Sequence, residues 1–172
     1  MSHHDPIREA LAGVVRHFTD HPEDALSTDS TATAVWRGGL RCEAQGPGGA
    51  VAASDMPPAI GGGGSAPSPG WLLRAALANC DASMIAIRAA QLGITLTRLE
   101  VSVDSDSDDR GMFGVDDNTP PGPLRVRVKV RLAADGVPHA QLRGLVEWAE
   151  RHSPVADALH RVVPVSVSVD IA

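Results

Sequence analysis

The side chains of this 172-residue sequence best suited to redox or nucleophilic chemistry are its two cysteines, Cys42 and Cys80. A free thiol is only a few per cent thiolate at neutral pH, so reactivity needs an Arg or His delivered from elsewhere in the fold. Cys80 lies about eleven residues beyond the start of an apolar helical stretch, too deep for the helix dipole to activate it. The pattern leaves it open as a nucleophile or as a small core residue, and Cys42, in a strand-like run, reads more simply as packing. Two cysteines make no disulfide framework, neither has the paired spacing of a zinc site, and the seven His are scattered, so no metal centre is expected. The run from Asp104 to Asp109 invites a calcium reading. An EF-hand loop wants Gly at its sixth position and Glu at its twelfth, and those positions hold Asp109 and Val115, so a solvated acidic loop through Asp117 is expected instead. Gly61-Gly62-Gly63-Gly64-Ser65 lacks the Lys-Ser/Thr of a phosphate loop and reads as a flexible connection. Arg125, Arg127, Lys129 and Arg131 alternate with apolar residues, and this basic row either faces an anionic ligand or pairs with acids on a neighbouring strand.

The elements that must position these groups follow from periodicity. Pro6 to Phe18 reads as an amphipathic helix with Ile7, Leu11, Val14, Val15 and Phe18 on one face, followed by a polar linker from His21 to Asp29. Thr31–Trp36 and Leu40–Gln45 form a predicted hairpin about Arg37-Gly38-Gly39, with a further short strand near Ala50–Ala53. Ser68-Pro69 supplies an N-cap and a first helical residue for a long helix that Gly93 ends. Leu73, Leu77, Cys80, Met84 and Ile87 share a stripe on it, and apolar residues elsewhere predict burial on most faces. Strands follow from about Thr95 to Val103 and from Leu124 to Leu132, then a helix opened by Pro138 and a short one capped by Ser153 before Pro154. Val165, Val167, Val169 and Ile171 predict a closing strand. Strands and helices without strict βαβ alternation make the fold class α+β.

Composition narrows the function. Hydrophobic residues at 43% and charged residues at 21% are ordinary for a globular domain, and a chain this long can bury roughly 70% of its unfolded surface. A net charge of −6 argues against duplex binding, and five aromatics (Phe18, Phe113, Trp36, Trp71 and Trp148) are too few for a base-stacking surface, so no nucleic-acid partner is expected. The N-terminus has neither a basic nor an apolar signal region, and the apolar stretch Trp71–Leu92 carries Arg74, Asp81 and Arg88, so a cytoplasmic protein with no membrane partner is expected.

The segment Ser-Pro-Gly-Trp-Leu-Leu-Arg-Ala-Ala-Leu-Ala-Asn-Cys (Ser68–Cys80), preceded by the Gly-rich loop, resembles the helix-start signature of the OsmC/Ohr family of osmotically inducible and organic hydroperoxide resistance proteins. Ala-Glu-Arg-His-Ser-Pro-Val-Ala-Asp-Ala-Leu (Ala149–Leu159) resembles its second motif, normally read with Cys-Pro near the centre. The hairpin around Trp36-Arg37-Gly38-Gly39 and the closing valine strand fit as well, so the resemblance covers roughly residues 30–171. It implies an OsmC-like domain over 29–172 behind a helix-and-linker extension at 1–28. It also implies two main helices packed with antiparallel β-sheets in an intertwined homodimer. Active members of the family reduce organic hydroperoxides: a helix cysteine attacks the peroxide, a second cysteine resolves it, and an Arg and a Glu position the first thiol. By resemblance Cys80 is the attacking thiol, and Arg37 or Arg41 is the arginine. Ser153 stands at the resolving position, with His152 beside it, and Gly70-Trp71 stands where the acid is expected. Without a second thiol, Cys80 sulfenic acid needs an external thiol reductant or climbs to sulfinic acid. His152 then reads either as replacement electrostatics or as an exposed helix-end residue, and Cys42 as a conceivable substitute resolver. Two functions follow, neither requiring a cofactor. One is thiol-dependent hydroperoxide reduction through Cys80. The other is binding of a small hydrophobic ligand at the dimer interface by Leu73, Leu77, Met84 and Phe113, with Cys80 inert.

Overall fold

The computed structural model describes residues 6–171. In chain order, helix α1 (Pro6–Asp20) is followed by strands β1 (Thr33–Trp36), β2 (Cys42–Gln45) and β3 (Val51–Ser54), then α2 (Pro69–Gln91), β4 (Arg98–Asp106), α3 (Asp109–Met112), β5 (Arg125–Ala133), α4 (His139–His152) and α5 (Pro154–His160). Strands β1, β2 and β3 form one antiparallel sheet, while β4 and β5 form a two-stranded ribbon. This is the α+β class expected. The described chain divides into two compact units, one drawing on residues 6–76 and Asp104–Val126, the other on Leu77–Val103 and residues 127–171. The dividing points fall inside α2, β4 and β5.

In the first unit the predicted hairpin forms, with Trp36 opposite Cys42 and Cys42 opposite Ser54. α2 begins as its sequence requires: Ser68 Oγ accepts the Trp71 N–H at 3.3 Å, and Pro69 occupies the position where a missing N–H costs nothing. The acidic stretch departs from the expected open loop. β4 runs on to Asp106, whose carbonyl accepts the Leu124 N–H, and Asp108 caps α3 by accepting the Arg110 N–H at 3.1 Å. Asp side chains bond readily to nearby backbone N–H groups, so the run organises itself into caps and turns. α1 forms over the predicted stretch but buries none of its residues, leaving Ile7, Val14, Val15 and Phe18 exposed. Positions 1–5 of the predicted extension lie outside the described residues.

The second unit holds the core. Ile85 and Ala89 of α2 pack against Leu142, Leu145 and Ala149 of α4, with Leu99, Val101, Val130 and Leu132 of the ribbon against them. Each fully buried Ile or Leu contributes about 1.5–3 kcal/mol relative to leaving it in water. α2 ends in a full Schellman cap around Gly93, at φ +68°: Gly93 N–H reaches Ala90 O at 3.0 Å and Ile94 N–H reaches Ala89 O at 2.9 Å. The buried ridge of α2 is Leu77, Asp81, Ile85 and Ala89, a strict four-residue spacing. It shares only Leu77 with the predicted stripe and otherwise runs beside it, and the helix is not buried on most faces within the single chain. Arg131 pairs with Glu100, which Arg98 also holds at 2.7 Å, so this part of the basic row is an ion-paired sheet face. The predicted closing strand does not form. Residues 161–171 carry no strand, and Val165, Val167, Val169 and Ile171 are 74–93% exposed. Alternation marks which residues would share a face, but a strand also needs an edge to bond to, and the single chain pairs this segment with none.

Candidate functional site

Cys80 and Ser153 meet in the second unit, 73 positions apart in sequence. The Ser153 hydroxyl donates to Cys80 Sγ at 3.2 Å. Ser153 is 1% exposed, while Cys80 is half-buried and a free thiol. The direction of the hydroxyl is set from its other side. As the N-cap of α5, Ser153 Oγ accepts the Ala156 N–H at 3.2 Å, leaving its proton for the sulfur. The break between α4 and α5 follows from Pro154, which moves Ser153 out of helical angles and turns its side chain into the cap. Chemically the pair is a sulfur with a neutral donor. A serine oxygen cannot form a disulfide, so this contact can stabilise charge on sulfur but cannot resolve an oxidised one.

Other side chains of α2 and α4 are placed as follows. His152 is exposed, its Nδ1 lies 2.7 Å from the Trp148 carbonyl, and its ring stacks on the Trp148 indole at 4.1 Å. Since a carbonyl only accepts, Nδ1 is the protonated nitrogen. Arg88 sits 5.1 Å from the same indole. Next in sequence to Cys80, Asp81 is 4% exposed, and among the described residues its Oδ1 has no hydrogen-bond partner. Leu77 is buried, and Met84 packs against the core, so both are packing residues of this unit.

The two arginines lie in the first unit and share one acid. Arg37 Nε contacts Glu43 Oε2 at 2.9 Å, and Arg41 contacts Glu43 Oε1 at 3.0 Å. These bonds, Arg41's first, hold the Glu43 carboxyl below its ordinary value against a smaller opposing effect of desolvation. Arg41 also donates to Ser65 Oγ at 2.7 Å, and the Ser65 hydroxyl donates in turn to Asp55 Oδ2 at 2.7 Å. Asp55, 3% exposed, further accepts the backbone N–H groups of Met56, Gly63 and Ser65. The Ser65 N–H and hydroxyl are the leading causes that bring its carboxyl down to about 2, with burial working against them. The glycine run is therefore not a free linker. It wraps a carboxylate closely enough that a Cβ on Gly62 would lie 1.9 Å from the Met56 carbonyl oxygen. Cys42 is half-buried on β2 in this same unit.

Leu73 and Phe113 line a cavity of about 540 Å³ in the first unit, together with Ile60, Arg74, Ser105 and Met112. Among the described residues no group of three or more His, Cys, Asp or Glu gathers for a metal. Sequence reading missed Glu43, Asp55 and Arg74. Glu43 left a signal, since it falls two residues after Arg41 and so on the same face of a strand. Asp55 left none, because its partners beyond the adjacent Met56 lie eight to ten residues away across irregular chain.

Residues 62–168 match the family model for OsmC-like proteins. The chain belongs to the OsmC-like family. That match begins inside the glycine run and takes in both motifs, Cys80 and Ser153 included. Among solved structures the OsmC-like protein of Mycoplasma pneumoniae is 14% identical with a TM-score of 0.67, over 80% of this chain and 91% of that one. The organic hydroperoxide resistance protein OsmC of Legionella pneumophila is 22% identical with a TM-score of 0.57, over 78% and 91%. The organic hydroperoxide resistance protein OhrB of Bacillus subtilis is 20% identical with a TM-score of 0.51, over 77% and 91%. At these identities the likeness is one of fold. Among proteins of curated function none matches the sequence. Among the described residues of this OsmC-like protein, no helix is long and apolar enough to cross a membrane.

Proposed function

We propose that this OsmC-like protein reduces organic hydroperoxides through Cys80, using an external thiol in place of an internal resolving cysteine. The single observation that carries the reading is the Ser153–Cys80 hydrogen bond. It joins the attacking position of one family motif to the resolving position of the other. In the first step the Cys80 thiolate attacks the distal peroxide oxygen, the O–O bond breaks, and the leaving alkoxide takes a proton to become an alcohol. Cys80 is now a sulfenic acid. An external thiol condenses with it, releasing water and leaving a mixed disulfide. A second thiol then displaces Cys80 and departs as the oxidised disulfide. Arg37 or Arg41 supplies the guanidinium that the family uses, with Glu43 in the orienting role of the acid absent at Gly70-Trp71. Peroxide consumption should be faster with cumene hydroperoxide than with hydrogen peroxide, run on monothiols and dithiols, and vanish in Cys80→Ser. Wild-type protein with Cys80 inert to excess peroxide would end this reading.

The functional form is a homodimer, with residues 162–171 pairing as a strand on the second copy. Support comes from the apolar alternation of that segment and its exposure in the single chain. Sedimentation should give a dimer for the full chain and a monomer or aggregate after removal of 162–171; a stable wild-type monomer at micromolar concentration would contradict it.

The cavity lined by Leu73 and Phe113 favours a second reading, in which the protein binds a small apolar ligand and Cys80 is unreactive.

A further inference from the structure

We infer that the first-unit cavity is a site for an apolar molecule ending in a single carboxylate, with Arg74 as the group that reads the carboxylate. The inference rests on the reading of this cavity as an apolar-ligand site and holds whether or not Cys80 reacts.

The volume of about 540 Å³ lies within the roughly 300–1,000 Å³ of ordinary small-molecule pockets. Most of the wall is apolar, with Ile60, Leu73, Met112, Phe113 and Val126 among its residues. Leu73, Met112 and Phe113 are 38–53% exposed, so the wall offers apolar surface that a ligand would cover. Into this wall comes one guanidinium. Arg74 is half-buried, and its partner is a neutral one, the Ser105 hydroxyl, which it reaches at 3.1 Å. Among the described residues it makes no ion pair. A partly desolvated cation held by a hydroxyl alone keeps most of its fork of N–H donors for an incoming carboxylate, the geometry guanidinium matches best.

Two further features favour negative charge at the same end. Ser68, Pro69 and Gly70 line the cavity, so the start of the 23-residue α2 faces it, and its first turn contains no acidic residue. Gly70 adds no side chain beside the guanidinium; a Cβ there would sit in ordinary contact, 3.8 Å from Arg74 Nη1. The one acid on the wall, Asp109, is exposed at the start of α3, and its charge disfavours a second negative group on the ligand. The combination selects an apolar monocarboxylate over a phosphate ester or a dicarboxylate.

Calorimetric titration of the full-length protein with decanoate and with 1-decanol separates head from tail. Wild type should bind decanoate at least tenfold more tightly than decanol. Arg74→Gln should bring the two together by weakening decanoate alone, and Arg74→Lys should restore part of the difference. Equal affinities in wild type, or decanoate binding untouched by Arg74→Gln, would overturn the role of Arg74. Absence of binding by either compound to folded wild type would overturn the site itself. Cumene hydroperoxide consumption by the same preparations reads the Cys80 proposal separately, since either result can fail while the other stands.

Discussion

Cys80 and the arginine pair Arg37 and Arg41 are held by opposite kinds of force. The sulfur faces one neutral hydroxyl, which is itself locked into a helix cap and 1% exposed. The guanidinium groups face one shared carboxylate on a hairpin, where the side chains of Arg37, Arg41 and Glu43 are 43%, 34% and 26% exposed. A buried neutral contact is insensitive to salt and to pH between the titrations of its neighbours. Partly exposed ion pairs are screened by salt and weaken once the carboxylate takes a proton. The thiol is thus fixed by packing, and the arginines by charge, so the two can be disturbed independently.

The largest disturbance is at Ser153. Ser153→Ala removes both the cap of α5 and the donor to sulfur at a position only 1% exposed, and the lost cap alone costs about 0.5–2 kcal/mol. That loss should be the same in low and high salt. Ser153→Cys places sulfur where oxygen lies 3.2 Å from Cys80 Sγ, against a disulfide bond length of about 2.0 Å. One equivalent of cumene hydroperoxide should then drive a Cys80–Cys disulfide in the variant and sulfenic or sulfinic Cys80 in wild type, read by peptide mass spectrometry. Failure of the variant to cross-link would mean that the contact does not persist in solution, and the contrast between packing and charge would lose its first half.

The two regions were unequally legible in the sequence. Ser153 could be placed as a cap from Pro154 alone, and α2 could be bounded from Ser68-Pro69 and Gly93, because capping is local chemistry written within a few residues. That Ser153 reaches Cys80 required the family resemblance, since nothing in periodicity brings together positions 73 apart. The arginines were visible only as a choice, and the hydrogen bonds of both now show Glu43 as their common acid. Asp55 was illegible. Its carboxylate organises a glycine run whose composition reads as slack, and only the three-dimensional course of the loop shows its N–H groups converging. The closing valines show the reverse fault. Their alternation is regular, yet pairing is a property of two strands, and one strand's sequence cannot supply the second. The buried ridge of α2 was misplaced because Asp81, a charged residue, occupies it, where a hydrophobic pattern gives it no weight.

A smaller effect sharpens the comparison within the charged region itself, because Asp55 and Glu43 are held by different donors. Asp55 is held chiefly by the Ser65 N–H and hydroxyl, which titrate in no accessible range, whereas Glu43 is held by two guanidinium groups. Both carboxyls are lowered on folding, so each contributes stability that is present above its unfolded value and lost as pH falls through the folded one. For Asp55 that window runs from the ordinary 3.8 down to about 2. Thermal midpoints of wild type, Asp55→Asn and Glu43→Gln, measured from neutral pH downward, should therefore show an Asp55 difference that is flat above about pH 4 and closes toward pH 2. The Glu43 difference should be smaller, closing as the medium falls below the ordinary carboxylate value of 4.5. Salt separates them further. Raising ionic strength at neutral pH should shrink the Glu43 difference, because its partners are exposed charges, and leave the Asp55 difference intact, because neutral dipoles are not screened in the same way. If salt erases both differences equally, the Asp55 loop is held by Arg41 through Ser65 rather than by its own backbone. The glycine run would then be an outlying part of the arginine network, with no independent anchor.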